Sequence, residues 1–208
     1  MNIQKAYDDW SESYDTDENL TRDLDRKVTR ETLGSLHFDS ILELGCGTGK
    51  NTSFLAQIGS TVQAVDFSQG MIEKAKEKVQ AENVRFSIMD ITQRWKFETS
   101  SFDLIVCNLV LEHIEDLSFV FSEASRTLKE KGRFFINELH QFKQYEGKKA
   151  RFYRSEGRIE IPAFTHHISD LLKAAAESGL TLLRLDECWH EKDRNKPPRL
   201  VSFMFEKG

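Results

Sequence analysis

Ser40-Ile41-Leu42-Glu43-Leu44-Gly45-Cys46-Gly47-Thr48-Gly49 begins as a short apolar run and ends in three alternating glycines. Such a run reads as a buried strand, and the glycines as a tight turn where no side chain blocks the backbone's approach to a ligand. A helix is expected next, through Phe54 and Leu55. The pattern then repeats down the chain. A strand over Thr61–Val65 ends at Asp66, and Ser68 stands as N-cap of a helix to Gln80. Strands over Val84–Met89 and Phe102–Cys107 end at Asp90 and Asn108. A helix near Leu117–Leu128 leads through Lys131-Gly132 into a fifth strand, Arg133–Leu139. Strands alternating with helices predict right-handed crossovers and an α/β fold whose mostly parallel sheet has helices on both faces.

Further from that core the rhythm changes. Tyr7, Trp10 and Tyr14 are spaced to share one helix face, and Leu20, Leu24, Val28 and Leu36 mark a second helix. Residues 1–36 therefore read as an N-terminal helical cap, its aromatic face suited to packing or to a lid. From His140 to His166 the chain is basic and aromatic and matches neither period; residues 140–167 read as an insertion lining the acceptor side. Helix Ser169–Ser178 and strands Leu180–Leu185 and Leu200–Phe205 follow, the short link between the strands suggesting an antiparallel pair at an edge. Residues 1–208 read as one domain.

Composition narrows the class. The 208 residues are 39% hydrophobic and 30% charged, ordinary for a soluble globular chain. A net charge of −5 disfavours a nucleic-acid partner held by a broad basic surface. No apolar run reaches the roughly 20 residues that span a bilayer, and the polar start does not read as a secretory signal. Cys46, Cys107 and Cys188 are odd in number and far apart, which fits reduced thiols and a cytoplasmic location. No compact set of cysteines and histidines predicts a metal site.

The polar residues converge. In an open parallel sheet the ligand lies outside the carboxyl ends of the strands, where the glycine turn, Asp66, Asp90 and Asn108 all fall. The turn and the following helix favour an anion, and Asp66 is placed to accept from a ribose diol. A dinucleotide fingerprint needs glycine at position 50, where Lys50 stands. The run Glu43–Gly49 resembles motif I of the class I S-adenosylmethionine-dependent methyltransferases. Val65-Asp66-Phe67-Ser68 with Met71-Ile72 and Ala75 is similar to their second motif, and Met89-Asp90-Ile91 to their third. Phe102–Asn108 through Leu111-Glu112-His113-Ile114 resembles the fourth, and Leu128-Lys129 with Gly132-Arg133-Phe134 the signature of strand five.

The resemblance implies a Rossmann-like sheet of about seven strands with the last antiparallel, and S-adenosylmethionine as cofactor. It implies that Glu43, Gly45, Cys46 and Gly47 cradle the methionine part and that Asp66 binds the ribose. Phe67 and Met71 would pack near the adenosine, Asp90 accept from the adenine amine with Ile91 beside the ring, and the Asn108 backbone meet the ammonium. Asn108-Leu109-Val110-Leu111 departs from the Pro-Pro run of nitrogen methylases acting on nucleobases or glutamine, and Cys107 is no Pro-Cys nucleophile. The resemblance is closest to the small-molecule (type 11/12-like) group, whose opening is matched by Tyr7-Asp8 and Tyr14-Asp15. Methyl transfer to a small-molecule acceptor is the expected activity. A non-catalytic S-adenosylmethionine-binding module and a nicotinamide-dependent oxidoreductase are the alternatives.

On the acceptor side, His113 is a candidate base, since an imidazole titrates near neutrality, or else a structural cap. Tyr7, Tyr14, Tyr153, His166 and His167 are candidate substrate contacts. The lysines and arginines between Lys143 and Arg158 are either a solvated loop or a preference for an anionic acceptor.

Overall fold

A computed structural model describes residues 3–16, 18–154 and 157–208, with backbone alone at 152–154 and 158. Helices α1 (Ile3–Trp10) and α2 (Leu20–Leu33) precede β1 (Phe38–Leu44). Then come α3 (Thr52–Ile58), β2 (Gly59–Asp66), α4 (Gln69–Lys78), β3 (Val84–Ile88), β4 (Phe102–Asn108), α5 (Leu117–Thr127) and β5 (Leu128–Leu139). A short helix α6 (Gln141–Tyr145) and a hairpin of β6 (Arg151–Arg154) and β7 (Gly157–Glu160) follow. The chain closes with α7 (Ile168–Glu177), β8 (Leu180–Cys188) and β9 (Leu200–Lys207).

The main sheet has the order β3-β2-β1-β4-β5-β9-β8. The first five are parallel, and β9 runs antiparallel between β5 and β8. Successive strands step outward on one side of β1 and then on the other, so a crevice opens between the ends of β1 and β4. Side-chain alternation builds a core on each face. Leu42, Leu44, Ile105, Cys107, Phe134, Ile136 and Phe203 meet Val120 and Phe121 of α5 and Leu171 and Ala174 of α7. Ile41, Leu104, Val106, Phe135 and Met204 meet Leu24 and Val28 of α2 and Phe54 and Leu55 of α3. Each such buried Leu, Ile or Phe contributes roughly 1.5–3 kcal/mol of burial free energy, which fixes the sheet that carries the site.

Ser68 caps α4, its hydroxyl accepting from Met71 N at 3.1 Å. Helix α2 stops at Leu33, so Leu36 falls outside it, and three further expectations change. Residues 11–16 are turns, so Tyr14 leaves the helical face and instead packs edge-on to Trp10, centroids 4.7 Å apart. β5 starts at Leu128, because Leu128 pairs with Phe102 before the register shifts to Leu104–Arg133. The stretch after β5 is a helix and a hairpin rather than an irregular loop.

Candidate functional site

A cavity of about 550 Å³ occupies the crevice. The glycine turn forms its floor, with φ of 66° at Gly45 and 52° at Gly47, a region that L side chains rarely adopt. A Cβ on Gly45 would sit 2.3 Å from Val110 Cγ2, whereas one on Gly47 would meet nothing within 4 Å. Asp66 shapes this turn from the end of β2: its carboxylate accepts from Gly47 N and Ser68 N, each at 2.9 Å. Burial pushes the Asp66 carboxyl up to about 6, against those hydrogen bonds, which lower it. Glu43, at the end of β1, is buried and accepts from the Thr52 hydroxyl; burial raises it to about 8. Phe67, Met71, Met89, Ile91 and Ile114 supply apolar wall.

A second polar face comes from α2. Arg22, Asp25 and Thr29 recur at helical spacing and all three are buried. Asp25 accepts from Asn51 Nδ2 (2.8 Å) and Asn137 Nδ2 (2.7 Å), and Asn108 Nδ2 donates to Thr29 Oγ1 (2.8 Å). These bonds leave Oδ1 of Asn51 and of Asn108, both in the cavity wall, buried without a donor.

The N-terminal segment is latched over this cavity at both of its Tyr-Asp pairs. Asp8 accepts from the Ser68 hydroxyl (2.6 Å) and Gly70 N (3.1 Å) at the start of α4. Asp15 accepts from Thr48 Oγ1 (2.9 Å) in the glycine turn and pairs with Lys78 (2.6 Å). Gln4 donates to Phe67 O (2.7 Å). Both latches therefore hold elements that also line the cavity.

Beyond β4 the chain turns sharply, and Leu109 adopts φ 58°, costly for a side chain with a Cβ. Its N–H donates to Asn137 O (2.9 Å). The following turn is held from two sides. Glu138 of β5 accepts from Val110 N (2.9 Å) and Leu111 N (3.0 Å). From the other side, His113 Nδ1 donates to Pro162 O (3.0 Å), Phe164 N to Glu112 O (2.7 Å) and His166 Nε2 to Ile114 O (2.7 Å). Because a carbonyl only accepts, His113 carries its proton on Nδ1, and Nε2 accepts from the Tyr7 hydroxyl at 2.7 Å. Burial lowers His113 and raises Tyr7, so both are neutral at pH 7.

Burial also raises Glu112 to about 7 and Glu138 to about 8. A carboxyl raised in the folded state contributes stability below its unfolded pKa of about 4.3 and loses it as pH rises through the folded value. His113 and His140, lowered by burial, act in the opposite direction at mildly acidic pH. Glu138→Gln keeps an oxygen for the two N–H donors and removes the titration, while placing an amide N–H2 where the native Oε2 has no partner. Its melting temperature is expected to fall less than that of the unmodified protein between about pH 5 and about pH 8. Scanning calorimetry giving parallel curves for the two proteins counts against a strained Glu138.

The cavity thus gathers Glu43, Gly45, Cys46, Gly47, Asp66, Phe67, Met71, Asp90, Ile91, Asn108, Tyr7, Tyr14 and His113. Asp90 accepts from Thr92 N (2.9 Å) and the Thr92 hydroxyl (2.7 Å) at the rim. His166 and His167 do not line this cavity; His166 is bonded to Ile114 O, and His167 starts α7 with Nδ1 2.6 Å from the Tyr145 hydroxyl. The side chain of Tyr153 lies outside the described residues, its backbone pairing with Arg158. No sequence motif points to Arg22, Asp25 or Glu138, and Glu112 enters only within the run after the fourth strand. For the first two a signal existed: charged residues at helical spacing beside the apolar stripe of α2.

Sheet order, glycine turn and the carboxylates at the strand ends have the arrangement of the class I S-adenosylmethionine-dependent methyltransferase fold. Residues 42–136 match the family described as a methyltransferase domain (Methyltransf_11). The chain is 30% identical over 156 residues to the ubiquinone biosynthesis O-methyltransferase of Coxiella burnetii, covering 69% of this chain and 64% of that protein. To the demethylmenaquinone methyltransferase of Leptospira interrogans it is 32% identical over 145 residues, covering 64% and 55%. It therefore spans a little over half to just under two thirds of the length of these two relatives. An S-adenosylmethionine-dependent methyltransferase from Clostridium acetobutylicum shares the fold, with a TM-score of 0.72 at 21% identity over 96% of each chain. The residues present fit the cofactor of this class. Asp66 suits a diol, the orphaned amide oxygens of Asn51 and Asn108 an ammonium, Arg22 and Lys50 a carboxylate, and Phe67, Met71 and Ile91 a flat ring.

Proposed function

We propose that the protein transfers the methyl group of S-adenosylmethionine to a small-molecule acceptor. One observation carries this reading: a single cavity brings the glycine turn, Asp66, Asp90 and the donor-less oxygens of Asn51 and Asn108 together at the sheet's switch point. When bound, the cofactor supplies an electrophilic methyl group. Asp66 holds the ribose hydroxyls, Asp90 takes the adenine amine, and Phe67, Met71 and Ile91 pack on the adenosine. Asn51 and Asn108 receive the ammonium, with Glu43 and Gly45–Gly47 beside it. Of the expected cap at 1–36, residues 3–16 exclude water while α2 packs into the core, and residues 140–167 border the acceptor side. The chain has mainly to position the acceptor, and such positioning is worth up to roughly 7–11 kcal/mol. A base role for His113 requires Tyr7 to leave Nε2 or to pass a proton through it.

Among the described residues no helix is long and apolar enough to cross a membrane. We place the enzyme in the cytoplasm on its cysteines; recovery of the tagged chain in the exported fraction overturns that. A hydroxyl-bearing acceptor is the first to try, because one relative is named an O-methyltransferase. The test is release of S-adenosylhomocysteine with a panel of such acceptors, alongside hydrogen exchange over residues 6–14. Turnover with slowed exchange on cofactor loading supports the reading. Binding without turnover on any acceptor favours a non-catalytic module, and tighter binding of a nicotinamide dinucleotide favours an oxidoreductase.

A further inference from the structure

A second cavity of about 680 Å³ adjoins the first, and Tyr7, Tyr14, Arg22 and Leu109 line both. Its walls divide into three zones. Trp10, Leu109 and Leu139 give an apolar body. Deep in the wall, Glu112 is 6% exposed and its Oε2 has no hydrogen-bond donor; the carboxylate is otherwise 3.8 Å from His113 Nε2. A buried acceptor left without a donor is costly, so this atom is built for a hydrogen that the protein does not supply. At the outer edge stand Lys148, Lys149 and Arg151, exposed and, among the described residues, without an ion pair. Neighbouring charges in the same wall are matched: Lys143 with Glu146 at 3.3 Å, Arg199 with Asp193 at 2.6 Å. The unmatched charge is thus positive at the edge, and the unmatched acceptor is deep inside.

We propose that this second cavity takes the methyl acceptor, and that the acceptor is a small organic anion. Its carboxylate or phosphate meets Lys148, Lys149 and Arg151, its apolar body lies against Trp10, Leu109 and Leu139, and a hydroxyl or amine donates to Glu112. The proposal rests on the methyltransferase reading above and adds the substrate's charge and polarity to it. Burial that holds the Glu112 carboxyl near neutrality agrees with a group that gains a partner only when the cavity fills.

The test uses the full chain loaded with S-adenosylhomocysteine and ligand-observed magnetic resonance. The probes are 4-hydroxyphenylacetate, 4-hydroxyphenyl phosphate, neutral 4-hydroxyphenylacetamide, cationic tyramine, and a fragment library balanced in charge. Anions are expected to outnumber neutral and cationic binders by about threefold. The triple variant Lys148→Ala, Lys149→Ala, Arg151→Ala is expected to weaken the anions by about tenfold or more and leave neutral binders alone. Its three sites are exposed, so the fold is kept. Carboxylates and phosphates bound unequally identify the anion. Glu112→Leu is expected to remove the advantage of hydroxyl-bearing binders over their deoxy counterparts. Binding indifferent to charge, or a screen in which no anion is lost in the triple variant, overturns the proposal. Failure to load S-adenosylhomocysteine at all, read first by calorimetry, overturns the methyltransferase reading instead.

Discussion

Asp66→Ala is expected to weaken S-adenosylhomocysteine binding by at least about a hundredfold in a protein that still folds. Hydrogen bonds to a charged acceptor are worth roughly 1.5–3 kcal/mol each, and a ribose diol offers two. The sum of roughly 3–6 kcal/mol corresponds to about two to four powers of ten in affinity. The alanine also releases Gly47 N and Ser68 N, so the turn loses its brace together with its ligand contact. Asp66→Asn separates these effects, because an amide oxygen still accepts from one of them but carries no charge. Since burial sets the Asp66 carboxyl near 6, affinity in the unmodified protein should fall as pH drops below that value, as the carboxylate gains a proton. Calorimetry showing unchanged affinity in a folded Asp66→Ala variant would remove the central assignment.

Replacing residues 145–158 by a flexible Gly-Ser link should cut methyl transfer by at least about a hundredfold while cofactor affinity changes by less than about threefold. The expected asymmetry comes from where each contact lies. Among the described residues the segment brings Glu146, Lys148, Lys149, Ala150 and Arg151 to the second cavity and none to the first. The latches at Asp8 and Asp15 are untouched, as are the bonds from Pro162, Phe164 and His166 to the turn after β4. Ala150 and Ile159 do pack beside Ala6, Trp10 and Ile161, so a modest drop in melting temperature is expected too. Parallel calorimetry and turnover on one preparation decide the matter. Collapse of cofactor binding, or survival of turnover, means that the segment does not build the acceptor side.

Much of the first cavity was legible because its signals are local. Gly45 is glycine for reasons of φ and of Val110, and Asp66 and Asp90 mark strand ends wherever the strands go. The pockets' other halves depend on distant pairing. Glu112 and Glu138 are ordinary acids in sequence, and only the stacking of β5 beside β4 brings Glu138 under Val110 and Leu111. Arg22 and Asp25 look like solvated helix charges until α2 is seen lying over Asn51 and Asn137. The hairpin carried a signal that went unused: paired aromatics flanked by arginines, then Gly157, then alternating Arg158-Ile159-Glu160. Charge density there masked the period of two. Aromatic spacing alone puts Tyr14 on a helix, because it does not reveal that the helix stops at Trp10.

Leu109 leaves the strand in a backbone state that glycine enters freely. A strained position of this kind costs on the order of 1–3 kcal/mol, and its side chain is part of the wall between the two cavities. Glycine there would relax the backbone but give up a side chain that packs on the core beneath α2 and α3, so the two contributions to stability oppose one another. Parallel laboratory lineages selected for heat tolerance and sequenced at this one codon would show which contribution wins.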